Sequence, residues 1–80
     1  MEDASIYKEA AIRIQKLRNE YGLTREELAE MVGISAKHLY EIETGRKGFS
    51  AGVLYRIAKA LGVGCDSIMI GEKEKDRNDV

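Results

Sequence analysis

The chain has 80 residues, of which 44% are hydrophobic and 34% charged, and its formal net charge is −1. This length suits one small domain, and no apolar run approaches the ~20 residues of a transmembrane helix. A near-neutral total excludes a uniformly basic surface, so any basic face must come from the arrangement of the charges. The lone Cys65 cannot form an internal disulfide, and no signal peptide opens the chain. We therefore expect a cytoplasmic location.

The first predicted element is a long helix. From Ser5 onward the apolar residues recur at steps of three and four, which is the spacing of one helical face. Ser5 is the expected N-cap and Gly22 the expected terminator. The apolar stripe consists of Ile6, Ala10, Ile14, Leu17 and Tyr21. Residues 1–4 carry no such pattern, and we expect a flexible N-terminus there.

Two short amphipathic segments follow and meet at Gly33. Thr24 is the expected N-cap of the first, and Glu27, three residues later, completes a T-x-x-E capping box. Ser35 is the expected N-cap of the second. Gly33 can adopt the left-handed conformation that ends a helix, so a tight turn separates the two segments. The apolar residues of the two segments are Leu28, Ala29, Val32, Leu39 and Ile42. This pattern predicts a helix-turn-helix.

Two more helices complete the predicted domain, which spans residues 5–71. Ser50 caps a fourth helix, which Gly62 ends, and a fifth runs over about residues 65–70 and ends at Gly71. The inner face of the fourth helix consists of Leu54, Ile57, Ala58 and Leu61. Residues 72–80 are charged and without periodicity, which predicts a disordered tail. Because no strand-like alternation occurs, the expected fold is all-α, a compact five-helix bundle.

The order and spacing of these residues resemble the phage-repressor (Cro-like, XRE) helix-turn-helix family. The resemblance runs from about Ile14 to Ile68, and its motif residues are Leu28, Ala29, Gly33, Leu39, Ile42, Glu43 and Gly45. It implies a lambda-repressor-like DNA-binding domain with a central helix-turn-helix. In such a domain the second motif helix, here about residues 35–43, enters the major groove of DNA. The chain departs from the family at Arg25, where Gln is usual, and at Phe49, where Pro is common.

The resemblance places three residues at DNA bases: Ala36, Lys37 and Glu41. Lys37 has donors for guanine O6 and N7, Ala36 offers an apolar contact to a thymine methyl, and Glu41 can accept from a cytosine amino group. Lys37 and Glu41 are also four positions apart. An ordinary ion pair on the helix surface is therefore the alternative for these two side chains.

Six further residues are expected at the DNA backbone. Arg25 offers a guanidinium beside a helix N-terminus, and its alternative is a solvated arginine among neighbouring glutamates. His38, the only histidine, lies near a phosphate by resemblance, and a plain surface imidazole is its alternative. The other four lie in the motif turn and in the loop that grips the sugar-phosphate backbone in the family; they are Ser35, Arg46, Lys47 and Ser50.

Two other sets of residues follow from the resemblance. Arg18 and Glu43 match a buried or half-buried ion pair that ties the first helix to the end of the second motif helix, so we assign both to structure. In the family the last helix pairs across a two-fold axis, and the apolar surplus near residue 70 favours such a dimer here. The expected dimer seam consists of Tyr55, Ile68, Met69 and Ile70. A two-fold dimer implies a palindromic operator.

The sequence therefore predicts a sequence-specific, double-stranded DNA-binding transcriptional regulator that acts as a homodimer, with repression preferred over activation. The alternative is a protein-interaction module of the same fold, an antitoxin-like or adaptor partner, which the near-neutral charge and Glu41 favour. No metal-ligand spacing, catalytic constellation or cofactor loop occurs in the sequence. We thus expect no enzyme activity, no cofactor, no metal, no small-molecule site and no membrane association.

Overall fold

A computed structural model describes the backbone of residues 2–71 and the side chains of residues 6–71. These residues form five helices: α1 (Glu2–Glu20), α2 (Arg25–Val32), α3 (Ala36–Glu43), α4 (Ala51–Leu61) and α5 (Cys65–Met69). The described part of the chain contains no strand. The predicted all-α, five-helix fold is thus confirmed. The predicted disordered tail, residues 72–80, lies outside the described residues.

The start of α1 differs from the prediction. The helix begins at Glu2, so Ser5 lies within it and the prediction that Ser5 caps it is wrong. Two acids and an alanine precede Ser5 in the sequence. Acidic residues suit the positive end of a helix and alanine is a strong helix former, so the helix extends beyond its apolar stripe.

The caps of the helix-turn-helix are those that the sequence predicted. The Thr24 hydroxyl accepts from the Glu27 N–H at 3.0 Å, and Glu27 Oε1 accepts from the Thr24 N–H at 2.8 Å. Gly33 ends α2 with φ at +83°. Ser35 Oγ then accepts from the His38 N–H at 2.9 Å and starts α3. These bonds satisfy backbone groups that have no partner inside a helix, which fixes the turn between α2 and α3.

The core lies where α1 packs on α3 and α5 and where α2 packs on α3 and α4. Its largest fully buried side chains are Ile14, Leu28, Val32, Leu39, Ile42, Ile57, Leu61 and Ile68. Burial of each stabilises the fold by roughly 1.5–3 kcal/mol before the entropy of ordering the chain is counted. Because α1 and α2 both pack on its inner side, α3 is held firmly and presents its other side outward.

Two residues of the predicted α1 stripe are not in this core. Ile6 is 46% exposed and Tyr21 is 53% exposed, whereas Ala11, which was not predicted, is buried. Tyr21 follows the last residue of α1 and Ile6 lies near its first turns, so both lie beyond the middle of the helix, where Ala10 and Ile14 are fully buried. No helix in the described range is long and apolar enough to cross a membrane.

Candidate nucleic-acid interface

Four residues of α3 retain accessible surface outside its buried stripe: Ala36, which also packs partly against the core, and Lys37, Tyr40 and Glu41. Their spacing of one, three and four positions places them on one helical face. Lys37 is exposed, Ala36 and Glu41 are half-buried, and Tyr40 is 41% exposed. Tyr40 was missed by the sequence analysis, although its position outside the buried stripe of α3 was a usable signal. We call these four residues the α3 face.

Glu41 pairs with a residue other than the one considered from the sequence. Its Oε1 lies 3.5 Å from Lys47 Nζ in the loop after α3. The alternative of a Lys37–Glu41 surface pair is wrong, because the loop folds back toward α3 and supplies a nearer cation. The Glu41 carbonyl accepts from the N–H groups of Arg46 and Lys47, at 2.9 and 3.2 Å, which directs the loop there. Lys37 has no ion pair among residues 6–71.

The end of α3 is joined to α1 by a buried ion pair. Arg18 Nε donates to Glu43 Oε2 at 2.7 Å, and Arg18 Nη2 donates to Glu43 Oε1 at 3.0 Å. Arg18 Nη1 also donates to the Leu23 carbonyl at 2.9 Å. Arg18 is 7% and Glu43 4% exposed. A two-point bond between a guanidinium and a carboxylate restricts both distance and angle, so it sets how α3 lies against α1.

Arg25 belongs to the same network. Its Nε donates to Glu43 Oε1 at 3.1 Å, and its guanidinium carbon lies 5.2 Å from the centroid of the Tyr40 ring. The alternative of a merely solvated arginine is therefore wrong, because the side chain is held by a carboxylate and an aromatic ring. A guanidinium has five N–H donors, and Glu43 takes one of them. Within the described range the others have no hydrogen-bond partner, so they are available to a phosphate.

The loop between α3 and α4 contributes Arg46 and Lys47, and it is fastened to α1. The rings of Tyr7 and Phe49 meet edge to face with centroids 5.0 Å apart, and the Tyr7 hydroxyl donates to the Phe49 carbonyl at 3.5 Å. A Cβ at Gly48 would lie 2.7 Å from the Tyr7 ring, so glycine is what allows this contact. Phe49 thus holds the loop by packing on Tyr7.

The three remaining residues expected at the DNA backbone lie at helix N-termini. Ser35 Oγ caps α3, and Ser50 Oγ accepts from the Val53 N–H at 3.2 Å and caps α4. A hydroxyl that accepts one hydrogen bond still has its own hydrogen to donate. His38 is half-buried in the first turn of α3. The backbone N–H groups of these first turns favour a nearby anion.

The residues expected at the dimer seam differ in exposure. Ile68 is 0% exposed, so the prediction that it lies in a seam is wrong: α5 packs on α1 and α4, and Ile68 fills the core between them. Tyr55 is exposed, and Met69 and Ile70 are half-buried. Arg13 Nη1 donates to the carbonyls of Ile68 and Met69, both at 3.1 Å, which holds the end of α5 on α1. Three predicted seam residues therefore retain accessible surface.

The whole arrangement matches a known protein family. The family model described as helix-turn-helix matches residues 14–68, the span over which the sequence resembles phage-repressor domains. The chain belongs to the helix-turn-helix family of transcriptional regulators. The match confirms the predicted family. Members of this family are DNA-binding regulators without enzyme activity, in agreement with the predicted absence of catalysis.

Individual members of the helix-turn-helix family resemble the chain over most of its length. An uncharacterized HTH-type transcriptional regulator of Methanothermobacter thermautotrophicus is 47% identical over 49 residues, which cover 61% of this chain and 71% of that protein. Another, from Archaeoglobus fulgidus, is 32% identical over 63 residues, which cover 79% and 90% of the two chains. The crystal structure of the clp gene regulator ClgR from Corynebacterium glutamicum matches with a TM-score of 0.81 at 27% identity, over 92% of this chain and 79% of that one.

Proposed function

We propose that the chain binds a palindromic operator in double-stranded DNA as a homodimer, in a sequence-specific manner, and represses transcription there. The observation that carries the proposal is a set of four cations that lie on α3 or beside it: Arg25, Lys37, Arg46 and Lys47. The guanidinium groups of two of its members lie within 6 Å of the Tyr40 ring, Lys37 is three positions away on α3, and Lys47 pairs with Glu41. A chain of net charge −1 thus concentrates cations beside its recognition helix.

Within this proposal the α3 face lies in the major groove and reads bases. Lys37 is exposed and has no ion pair in the described range, so its three donors are available to guanine O6 and N7. Ala36 offers a methyl surface to a thymine. A contact between Glu41 and a cytosine amino group requires its ion pair with Lys47 to open or to be shared. These three residues are our candidate base readers.

The candidate backbone contacts surround that face. Arg25, Arg46 and Lys47 supply positive charge for phosphates, and three residues near helix N-termini, Ser35, His38 and Ser50, supply further donors. Three cations a protomer correspond to about six phosphates in a dimer, so log affinity should fall with log salt with a slope of about −5. We propose that such a regulator acts in the cytoplasm.

A second copy of the chain is the proposed partner of the apolar surface at α4 and α5. Tyr55, Met69 and Ile70 retain accessible surface there. A groove of about 350 Å³ adjoins Met69, and its lining is mainly apolar. The other lining residues are Ile6, Tyr7, Phe49, Ser50, Ala51 and Leu54. Pairing through Tyr55, Met69 and Ile70 would cover the accessible surface of these three side chains and leave Ser50 free for DNA. It would also present two α3 helices to half-sites about one helical turn apart.

The experiment that tests the proposal is selection from a random pool of duplex DNA at low and moderate salt. We expect a palindromic consensus whose affinity falls steeply between 50 and 200 mM salt, by about a thousandfold. Sedimentation equilibrium on the protein, with and without the selected duplex, checks the homodimer. Absence of any enrichment by the folded protein would refute DNA recognition. A pull-down for a protein partner would then test the interaction-module alternative.

A further inference from the structure

Tyr40 stands out because a large aromatic side chain lies exposed on the α3 face instead of in the core. Two cationic side chains lie over its ring: the Arg25 guanidinium carbon is 5.2 Å from the centroid and that of Arg46 is 5.8 Å. Both distances are within the ~6 Å at which the negative face of an aromatic ring attracts a cation. Arg25 begins α2 and Arg46 lies in the loop after α3, so three separate segments meet at this ring.

The two arginines depend on Tyr40 to different degrees. Arg25 has a second anchor, because its Nε donates to Glu43 Oε1, whose carboxylate also binds Arg18. Arg46 makes no ion pair or side-chain hydrogen bond within residues 6–71, so among these residues only the Tyr40 ring attracts its guanidinium at close range. The Tyr40 hydroxyl has no hydrogen-bond partner in that range either. The aromatic face, rather than the hydroxyl, therefore makes the contacts.

We propose that Tyr40 is a positioning residue that orients Arg25 and Arg46 toward DNA phosphates before binding. This inference rests on the proposed DNA-binding function and deepens it. Arginine side chains lose rotamer freedom when they bind a phosphate, and a surface that already holds them loses less of that freedom on association. The ring leaves the in-plane N–H donors of a stacked guanidinium available, so the same group can stack on Tyr40 and bind a phosphate.

The test compares Tyr40→Leu, Tyr40→Phe and a matched control, Tyr21→Leu. Tyr21 is also an exposed tyrosine, and no arginine of the described part of the chain lies over its ring. Affinity is measured by fluorescence anisotropy for the selected operator and for an unrelated duplex over a salt series. Circular dichroism melts check that each variant is folded, and leucine is at least as good a helix former as tyrosine.

We expect Tyr40→Leu to weaken binding to both duplexes by roughly five- to thirtyfold for each protomer bound, because two arginines that the ring no longer holds must lose their rotamer freedom on binding, an effect limited by the strength of the two cation–π contacts. Tyr40→Phe should restore the parent affinity, and Tyr21→Leu should match the parent. Parent-like affinity of Tyr40→Leu would overturn the positioning role. A Tyr40→Phe variant as weak as Tyr40→Leu would also overturn it, because the hydroxyl would then be the contacting group.

A second background separates positioning from direct contact. In a chain carrying Arg25→Gln and Arg46→Gln, adding Tyr40→Leu should change affinity by less than about twofold, because the side chains through which it acts are gone. A full-sized effect there would overturn the proposal, since Tyr40 would then touch DNA itself or merely support α3. If the folded parent bound no duplex at all, the DNA-binding function itself would fail, an outcome distinct from these.

Discussion

Removal of the Glu43 carboxylate is the perturbation that best tests how α3 is held in place. Glu43 accepts three hydrogen bonds, two from Arg18 and one from Arg25, and it is 4% exposed. Glu43→Ala would leave the buried Arg18 guanidinium without its counter-charge. Breaking a buried pair in this way costs about 3–5 kcal/mol. Small domains are stable by about 5–15 kcal/mol, so the variant should lose a large part of its free energy of unfolding.

The assay is urea unfolding followed by far-UV circular dichroism, with Glu41→Ala as the matched control. Glu41 is also a carboxylate of α3 paired with a cation, but its partner Lys47 is largely exposed. Exposed pairs contribute about 0–1 kcal/mol, so the control should lose little stability. Equal losses of stability in the Glu43 and Glu41 variants would refute the reasoning, because burial would then make no difference.

A double variant tests whether the loss comes from the unpaired charge. Arg18→Met should cost less than Glu43→Ala, because Arg25 still pairs with the carboxylate. Combining Arg18→Met with Glu43→Leu removes both buried charges and leaves apolar side chains. Such replacements are often neutral or stabilising. We therefore expect the double variant to be more stable than the single variant Glu43→Leu. A loss of stability equal to the sum of the losses in the single variants Arg18→Met and Glu43→Leu would contradict the interaction between the two charges.

Four further predictions concern the interface, the loop and the dimer. Lys37→Ala should weaken binding to the selected operator by ~1–3 kcal/mol in competition assays, and parent-like affinity would remove it as a base reader. Arg46→Ala should weaken binding to all duplexes alike, and the slope of log affinity against log salt concentration should become shallower by about 1 for each protomer. A changed sequence preference would contradict a backbone contact. Gly48→Ala should destabilise the fold by about 1–3 kcal/mol, because its Cβ would lie 2.7 Å from the Tyr7 ring, and an unchanged melting temperature would count against that contact. Met69→Asp should shift the protein toward monomer in sedimentation equilibrium, and an undiminished dimer would place the seam elsewhere.

The helix-turn-helix could be predicted from the sequence because its determinants are local. The Thr24–Glu27 capping box and the Ser35 cap join residues three positions apart, and the left-handed Gly33 ends α2 by bonds to its own last turn. Signals of this kind lie within one turn of helix, so a linear pattern contains them. The family assignment rests on the same spacings and was confirmed by the match over residues 14–68.

The side-chain network of the interface is different, because it joins segments that the linear pattern does not connect. Arg25 and Glu43 are 18 positions apart, and they meet only once α2 and α3 have packed. Glu41 had a possible partner in Lys37, four positions away, yet the fold of the loop brings Lys47 closer. Which lysine pairs with Glu41 therefore depends on the path of the loop after α3, which brings Lys47 back to this helix. The assignments of single residues to bases, phosphates and the dimer seam stay predictions.

The sequence by itself determined the five helices, the turn between α2 and α3 and the family, because caps, left-handed glycines and apolar periodicity act over a few residues. Only the tertiary structure decided that Ile68 fills the core, that Tyr21 lies outside it and that two arginines lie over the Tyr40 ring. Whether an apolar or aromatic side chain is buried depends on which helix covers it. That is a property of the packed bundle and is not encoded in the spacing along one helix.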